Sequence, residues 1–542
     1  MDLILKNGRV YTMDGKIAQA VAVQGDTIMK VGTNEEVEAL ADGSTQVMDL
    51  GGRAVVPGFI DTHTHLVAYG CSINAVNLEG VGSKEEIVSR CADFIAQHSI
   101  PEGTWVLGRG WNQNLFSGEK TFPDKNDLDR VSRTHPILII RTCGHIGIAN
   151  TAALESVGVC KDTYIEGGQF DLGGDGLPNG VIREASLEWF KKNKTAKQNL
   201  SEIKRAIVDG GGDLLRYGVT SIHTEDSYDL GYGGDFIDIY NAYQELIAEG
   251  RLPVRIYQKI SLPKAEDIAE FLERHPDLRT GYGNDFYRIG PMKQWSDGTL
   301  GARTAGMLEP YSDDPGNTGL YYYTPEELYQ NILTAHNAGM QVCIHAIGDG
   351  ALEMLLNAYE RVLKESPKTD HRHRIVHCFV GHPDQYKRIA KMGLIINTQP
   401  ISTSTDIPMM ASRVGEEREK SCHAWRALTD LGVVITGSSD IPVETPNVFK
   451  GVYAIVTRRN VDHNPPEPWN ADQAVTVEEA LKIFTINGAY SAFEDHRKGT
   501  ITEGKLADMA VLDKDPFAVE AEALRDILVD HTILGGKVVY SR

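Results

Sequence analysis

The stretch PGFIDTHTH, residues 57–65, places two histidines at the end of an apolar run. That run, AVVPGFID, has the composition of a buried β-strand. Residues two apart on a strand point to the same side, so His63 and His65 direct two imidazoles into one space. Neutral imidazole is the commonest side-chain ligand of protein-bound metals. The sequence therefore predicts a metal site at the carboxyl end of this strand.

Seven further apolar runs follow, and helical segments separate several of them. Thr324-Pro325 with Glu327 is an N-cap, a first-turn proline and a capping-box glutamate, and Gly339 ends that helix before the next strand. Repeated strand–helix units indicate a parallel sheet, and eight strands indicate a closed (β/α)₈ TIM barrel of the α/β class. The predicted strands are 55–63, 218–226, 254–262, 287–295, 341–349, 374–380, 394–400 and 433–440.

Both ends of the chain alternate apolar and polar residues between Gly-rich turns, a pattern typical of antiparallel β-structure. Neither end is long enough to close a sandwich alone, so we expect residues 1–57 and 497–542 to build one composite β-sandwich. Residues 58–70 and 211–496 then form the barrel. Residues 71–210 are far more than a βα loop requires, and they carry strands and a helix of their own, with a capping box at Ser83 and Glu86. We expect an inserted α+β subdomain over the barrel mouth.

The formal net charge of −21 gives an acidic surface that repels phosphate, which argues against nucleic-acid binding. The seven cysteines are scattered without a CxxC pair, which favours a reduced setting. The opening MDLILKNGRV lacks the basic and apolar regions of a signal peptide, and no apolar run reaches the ~18 residues of a membrane helix. We therefore expect a cytoplasmic protein without a membrane partner.

Two more histidines lie at the ends of predicted strands, His345 in QVCIHAIGD and His377 in RIVHC. One such histidine is more often a core residue, but two on consecutive barrel strands meet at the carboxyl-terminal face, where barrel active sites lie. Asp440 ends the last strand. Alone it would fit a helix N-cap, but beside the histidines it fits a carboxylate that takes a proton from metal-activated water and returns it to the leaving group.

Lys293, in GPMKQWSDGT, allows two interpretations, because a lysine in a buried strand is costly unless it is neutralised or paired. One is a salt bridge with Asp297. The other is a CO₂-modified lysine whose carbamate oxygens bridge two metal ions.

The second predicted strand ends in HTED, with His223, Glu225 and Asp226. These residues have no firm role, and they could orient the ligand histidines. Asp349, four residues past His345, has the same ambiguity.

Six segments taken together resemble the family 3 branch of the amidohydrolase superfamily, which includes N-substituted formamide deformylases. They are PGFIDTHTH, KQWSDGTLGARTA, IHAIGD, RIVHC, GSSDIPVETPN and the tail TINGAYSAF to GTITEGKLADMAVLD. The resemblance covers nearly the whole chain and implies the same barrel and composite sandwich. It also implies a homodimer and a set of metal ligands: His63, His65, His345, His377, Asp440 and, as a bridging ligand when carboxylated, Lys293.

The same resemblance extends to the insertion through GWNQNLF, TCGHIGIAN and GVIREA. It implies that Trp111, Asn112, His145 and Glu184 face the substrate, with His145 as a catalytic donor to the oxyanion.

These residues lead us to expect a hydrolase that cleaves a C–N bond of a small molecule, an amide, formamide or cyclic amide, with one or two Zn²⁺ ions. Two alternatives stay open. One is a deaminase of a ring amidine that uses a single metal ion. The other is a non-catalytic binding or regulatory protein on the same scaffold, because fold alone does not fix function.

Overall fold

The computed structural model describes residues 1–141, 146–193, 200–227, 235–462 and 467–542. Its contacts divide the chain into two units. One contains residues 1–69 and the described residues from Ile207 to Arg542, and the other is built on Gly70–Ala206. None of the described helices combines the length and the apolar character needed to cross a membrane.

In chain order, the described residues form the strands β1 (Leu3–Lys6), β2 (Arg9–Tyr11), β3 (Ile17–Ala18), β4 (Ala20–Gln24), β5 (Thr27–Gly32), β6 (Gln46–Asp49), β7 (Ala54–Pro57), β8 (Phe59–Thr64), β9 (Val76–Asn77), β10 (Val106–Trp111), β11 (Ile137–Arg141), β12 (Ile146–Ala149), β13 (Gly168–Leu172), β14 (Pro178–Glu184), β15 (Val219–Thr224), β16 (Arg255–Ser261), β17 (Tyr287–Trp295), β18 (Val342–Ala346), β19 (Arg374–His377), β20 (Ile395–Thr398), β21 (Ile435–Gly437), β22 (Met509–Leu512), β23 (Val529–Leu534) and β24 (Lys537–Ser541).

The α-helices of the described residues follow the same order. They are α1 (Asn34–Glu38), α2 (Leu66–Ile73), α3 (Lys84–Gln97), α4 (Lys125–Asp129), α5 (Thr151–Val157), α6 (Ala185–Asn193), α7 (Leu200–Leu214), α8 (Phe236–Ala248), α9 (Ala265–Arg274), α10 (Pro325–Asn337), α11 (Asp349–Glu365), α12 (Pro383–Met392), α13 (Ser402–Arg418), α14 (Trp425–Asp430), α15 (Val448–Thr457), α16 (Val477–Ile483) and α17 (Ile486–Ser491).

An eight-stranded parallel sheet, β8 followed by β15 to β21 in chain order, forms the barrel. Two backbone hydrogen bonds join its first and last strands near their carboxyl ends. Asp440 N donates to His63 O at 2.8 Å, and His65 N donates to Ile441 O at 2.9 Å. The predicted α/β barrel class is confirmed, and its closure brings Asp440 next to the two histidines of β8.

The run predicted as one strand over 55–63 is divided by Gly58 and serves two sheets. Residues Ala54–Pro57 pair with the C-terminal β22, whereas Phe59–Thr64 pair with β15 of the barrel. A Cβ on Gly58 would lie 2.3 Å from Thr220 Oγ1, so glycine permits this close approach. The single-strand prediction was wrong because both halves are apolar and periodicity alone does not show where a strand changes sheet.

Strands from both termini form two sheets that share one apolar core. One sheet has the order β5-β4-β1-β6, and the other, β24-β23-β22-β7-β2-β3, joins C-terminal to N-terminal strands. Leu5 and Val21 of the first sheet pack in the same cluster as Val55, Met509 and Ile533 of the second. This two-layer packing is a β-sandwich.

The second unit contains a six-stranded mixed sheet with the order β13-β14-β12-β11-β10-β9. Ile87 and Cys91 of α3 pack on this sheet against Val106 and Ile137. The unit therefore has a core of its own.

The two capping boxes predicted from the sequence, at Thr324 and Ser83, occur at helix starts, a third occurs at Thr476, and two of the three are complete. Thr324 caps α10 and Thr476 caps α16, each with the reciprocal glutamate bond. At α3, Ser83 accepts from Glu86 N, but the Glu86 carboxylate accepts from Gly82 N at 2.8 Å and not from Ser83 N. That box is one-sided.

Candidate metal centre

Three predicted site residues meet where β8, β19 and β21 end. His63, His377 and Asp440 each offer a ligand atom, and these atoms lie within 4.8 Å of one another. Asp440 Oδ1 lies 3.4 Å from His63 Nε2 and 3.2 Å from His65 Nε2. Side chains from opposite ends of the barrel sequence thus share one small volume.

His345 lies beside this cluster, and its ring directs Nε2 towards a backbone carbonyl oxygen. Its ring centroid is 4.3 Å from that of His377. Its Nε2 is 3.0 Å from the carbonyl oxygen of Gly298 and 3.3 Å from Asp297 Oδ1. Because a carbonyl oxygen only accepts, Nε2 carries the proton and Nδ1 retains the lone pair.

His65 and His377 are each held at Nδ1 by an acceptor. His65 Nδ1 is 2.8 Å from the carbonyl oxygen of Glu225, and His377 Nδ1 is 2.7 Å from Gln399 Oε1. The Gln399 amide is itself oriented, because its Nε2 donates to Ser438 Oγ at 2.9 Å. Both imidazoles therefore keep a proton on Nδ1 and a lone pair on Nε2, the form that binds a metal ion through Nε2.

The charge state of the cluster suits a cation. Burial holds the pKa values of His63 and His377 well below the ordinary histidine value, so both rings are neutral. Burial also raises the pKa of Asp440, but His65 and His377 outweigh this and lower it to about 2. Asp440 is therefore an ionised carboxylate among neutral imidazoles.

The contact between His65 Nε2 and Asp440 Oδ1 tests whether a metal ion fits. The proton on Nδ1 leaves Nε2 of neutral His65 as an acceptor, and an ionised carboxylate is also only an acceptor. Two acceptors 3.2 Å apart repel unless a cation or an extra proton lies between them. The donor set, neutral imidazole nitrogens with one carboxylate, is the set that divalent transition metals bind.

Lys293 lies fully buried on β17, close to the cluster. Its charge contributes to lowering the pKa values of His63, His377 and Asp440. Asp297, the salt-bridge partner considered for this lysine, has other contacts. Its carboxylate accepts from the backbone N–H groups of three residues and contacts His345; those three residues are Ile347, Gly348 and Gly306.

The backbone of two site residues lies in the left-handed region. His377 has φ 75° and Asp440 has φ 60°. Such conformations cost about 1–3 kcal/mol for residues other than glycine and cluster at functional sites. Near them, the Asp61 carboxylate accepts from Ser439 N at 3.0 Å and from His63 N at 3.3 Å, which fixes the two strand ends to each other.

The polar residues of the HTED segment and Asp349, which had no predicted role, form hydrogen bonds within the fold. The Asp226 carboxylate accepts from Val67 N at 2.9 Å and from Tyr243 OH at 2.7 Å, so it holds the start of α2. Asp349 begins α11 and accepts from Leu308 N at 2.9 Å. His223 Nδ1 accepts from Arg374 at 2.8 Å. Glu225 is the residue of this group that holds a candidate ligand, through its carbonyl oxygen.

The predicted substrate-facing residues belong to the second unit. Trp111 is fully buried in that unit's apolar core, edge-on to Phe122 at 5.7 Å. Asn112 Oδ1 accepts from Asn114 N at 3.1 Å and from Arg141 Nη2 at 3.0 Å. Glu184 ends β14 with an exposed side chain. His145 lies outside the described residues, and contact of these four with substrate remains a prediction.

Sequence patterns did not single out two polar residues that contact candidate ligand histidines. Lys259 Nζ hydrogen-bonds with His63 Nδ1, and burial lowers the pKa of this lysine to about 7. Gln399 follows β20 and holds His377. Both carried a usable signal, since Lys259 is a charge inside the apolar run VRIYQKISL and Gln399 is a polar residue at a barrel strand's end.

Comparison with known proteins finds a family and full-length relatives. A model of the amidohydrolase family matches residues 46–540. The putative amidohydrolase YtcJ of Bacillus subtilis (strain 168) is 31% identical over 100% of both chains. N-substituted formamide deformylase of Arthrobacter pascens is 28% identical over 100% of this chain and 98% of its own.

A solved structure extends the likeness to three dimensions. An uncharacterized metal-dependent hydrolase from Pyrococcus furiosus matches with a TM-score of 0.79 and 27% identity, over 95% of this chain and 99% of that chain. The family match, the full-length relatives and the shared fold show that this chain belongs to the amidohydrolase family.

Proposed function

We propose that this protein hydrolyses a C–N bond of a small molecule, an amide, formamide or cyclic amide, at the centre formed by His63, His65, His345, His377 and Asp440. The observation that carries the proposal is the 3.2 Å contact between His65 Nε2 and Asp440 Oδ1, two acceptors that fit a cation between them. The Arthrobacter relative, named as a formamide deformylase, supports the class of bond.

Each residue of the centre has a task in this proposal. One or two Zn²⁺ ions held by the four imidazoles would supply Lewis acidity, which lowers the pKa of a water molecule from ~15.7 to ~7. Lys293, once carboxylated, would add a bridging carboxylate. Asp440 accepts the proton of the attacking water and returns it to the leaving nitrogen.

We further propose that specificity for the substrate lies in the insertion. Trp111, Asn112 and Glu184 contact the substrate in this scheme, and His145 donates to the oxyanion that develops on the attacked carbon's oxygen. Truncating Asn112 or Glu184 should then change KM and substrate preference more than metal content.

Metal quantification coupled to a substrate screen tests the proposal. Purified protein is analysed for bound metal and assayed with N-acyl, N-formyl and cyclic amide compounds. We expect two equivalents of metal per chain for the bridged centre and turnover of at least one of these classes. One equivalent with release of ammonia from a ring amidine would instead indicate the deaminase.

Two histidine variants of the centre extend that experiment, and a third histidine variant is their matched control. His63→Asn and His377→Asn should lose bound metal and activity together, whereas His98→Asn, at an exposed helix end outside the centre, should keep both. A wild-type protein that holds no metal and stays inactive after zinc is added would contradict the proposal and favour a non-catalytic binding protein.

A further inference from the structure

Lys259 of β16 contacts His63 at the ring nitrogen that faces away from Asp440. Its Nζ hydrogen-bonds with His63 Nδ1, while His63 Nε2 lies 3.4 Å from Asp440 Oδ1. The side chain has no exposed surface, and the described residues offer this Nζ no other hydrogen-bond partner. The imidazole is therefore held between a lysine on one side and the centre on the other.

We propose that Lys259 is the positioning residue of His63, which fixes the ring so that Nε2 is presented to the metal ion. The inference rests on the proposed function, because it requires that the centre binds a metal. Lys259 contacts the ring nitrogen opposite the one that faces Asp440, so its role is to orient a ligand.

The neighbouring histidines show the pattern that Lys259 completes. His65 is held at Nδ1 by the Glu225 carbonyl oxygen and His377 by the Gln399 side chain. An imidazole that binds metal through Nε2 carries its proton on Nδ1 and needs an acceptor there, and loss of such a partner typically weakens metal binding about 10–100-fold. At His63 the corresponding position is filled by Lys259 Nζ, and because a lysine accepts a hydrogen bond only as a neutral amine, the proposal assigns Lys259 that form when a metal ion is bound.

Packing alone does not account for a lysine at this position. The side chain lies on a strand whose residues are all buried. Methionine has nearly the same length and would fill the space without burying an amine, which is costly to remove from water. The hydrogen bond to His63 is what the lysine provides and methionine would not.

The test compares Lys259→Met and Lys259→Gln with a matched control, Lys498→Met. Lys498 is also buried, but it pairs with Glu494 at 2.8 Å and belongs to no candidate ligand contact. Metal-free proteins are titrated with Co²⁺ against a chelator, and the visible spectrum of the bound Co²⁺ reports its ligand geometry.

We expect Lys259→Met to bind Co²⁺ about 10–100-fold more weakly than wild type and with an altered spectrum. Lys259→Gln, whose amide can still bond to Nδ1, should recover part of the affinity, and Lys498→Met should keep the affinity and spectrum of wild type. A folded Lys259→Met that matches wild type in both measurements overturns the inference while leaving the metal centre intact.

A structure of the zinc-loaded wild type decides the matter even if Lys259→Met does not fold. Nζ should stay within hydrogen-bond distance of His63 Nδ1 while Nε2 binds the ion. Nζ turned away from the ring would refute the positioning role alone. Absence of any metal at the centre would refute both this inference and the proposed function.

Discussion

Replacing Asp440 by asparagine should abolish most turnover while leaving the metal and the fold in place. The substitution removes the one carboxylate of the described cluster and keeps the shape of the side chain. Proton transfer by a positioned side chain contributes about 10²–10⁴-fold to a rate, or about 3–5 kcal/mol of barrier. We therefore expect kcat to fall by this factor, with little change in KM.

The backbone of Asp440 makes asparagine the right replacement. At φ 60° the residue is in the left-handed region, which asparagine adopts readily, whereas alanine there costs about 1–2 kcal/mol. The backbone bond from Asp440 N to His63 O, at 2.8 Å, is unaffected by the side chain. Asp440→Asn should thus unfold near the wild-type temperature and Asp440→Ala below it.

The assay measures kcat and KM on the best substrate of the amide screen, together with bound metal and thermal unfolding. The four imidazoles remain in Asp440→Asn, so its metal content should stay close to that of wild type. Undiminished turnover in this variant would remove Asp440 from proton transfer. Loss of metal and fold together would show that the aspartate acts mainly in structure.

Three further predictions concern metal affinity, stability and pH. Gln399→Leu removes the partner of His377 Nδ1 and should weaken zinc binding about 10–100-fold in a chelator competition, while unchanged affinity would argue against that contact. Arg255 donates to the buried Asp508 carboxylate at 2.7 and 2.9 Å, and Arg255→Met leaves that carboxylate without its partner. The free energy of unfolding, measured in urea, should fall by about 3–5 kcal/mol, and a loss below about 1 kcal/mol would contradict this. His373 is buried and its pKa lies well below the ordinary value because burial disfavours the charged ring, so the unfolded chain binds more protons and stability should fall as pH drops below about 6.5. Urea midpoints at several pH values should show this loss, and His373→Gln should reduce it.

Much of the barrel was predictable because its signals are local. Apolar runs occur in the sequence at all eight barrel strands and helical segments separate several of them, and the period of two on β8 places His63 and His65 on one side. His345, His377 and Asp440 followed from the rule that barrel active sites gather at the carboxyl ends of strands. The structure brings these residues together as that rule requires.

Other features depend on contacts between distant segments, which a local pattern does not encode. The division of the first strand at Gly58 reflects pairing with β22, which lies far along the chain. The orientation of the His345 ring depends on the Gly298 carbonyl oxygen in a loop, and the Lys259 contact depends on how the barrel brings β16 towards β8 with β15 between them. The sequence showed which residues are chemically able to act, but not which nitrogen each would present.

Anomalous X-ray scattering from zinc-loaded crystals tests the central claim most directly. We predict a strong peak within bonding distance, about 2.0–2.2 Å, of His63 Nε2, His65 Nε2 and Asp440, with His377 and His345 ligating the same ion or a second one beside it. Zinc bound elsewhere, with these five side chains arranged as they are now and no peak among them, would contradict it.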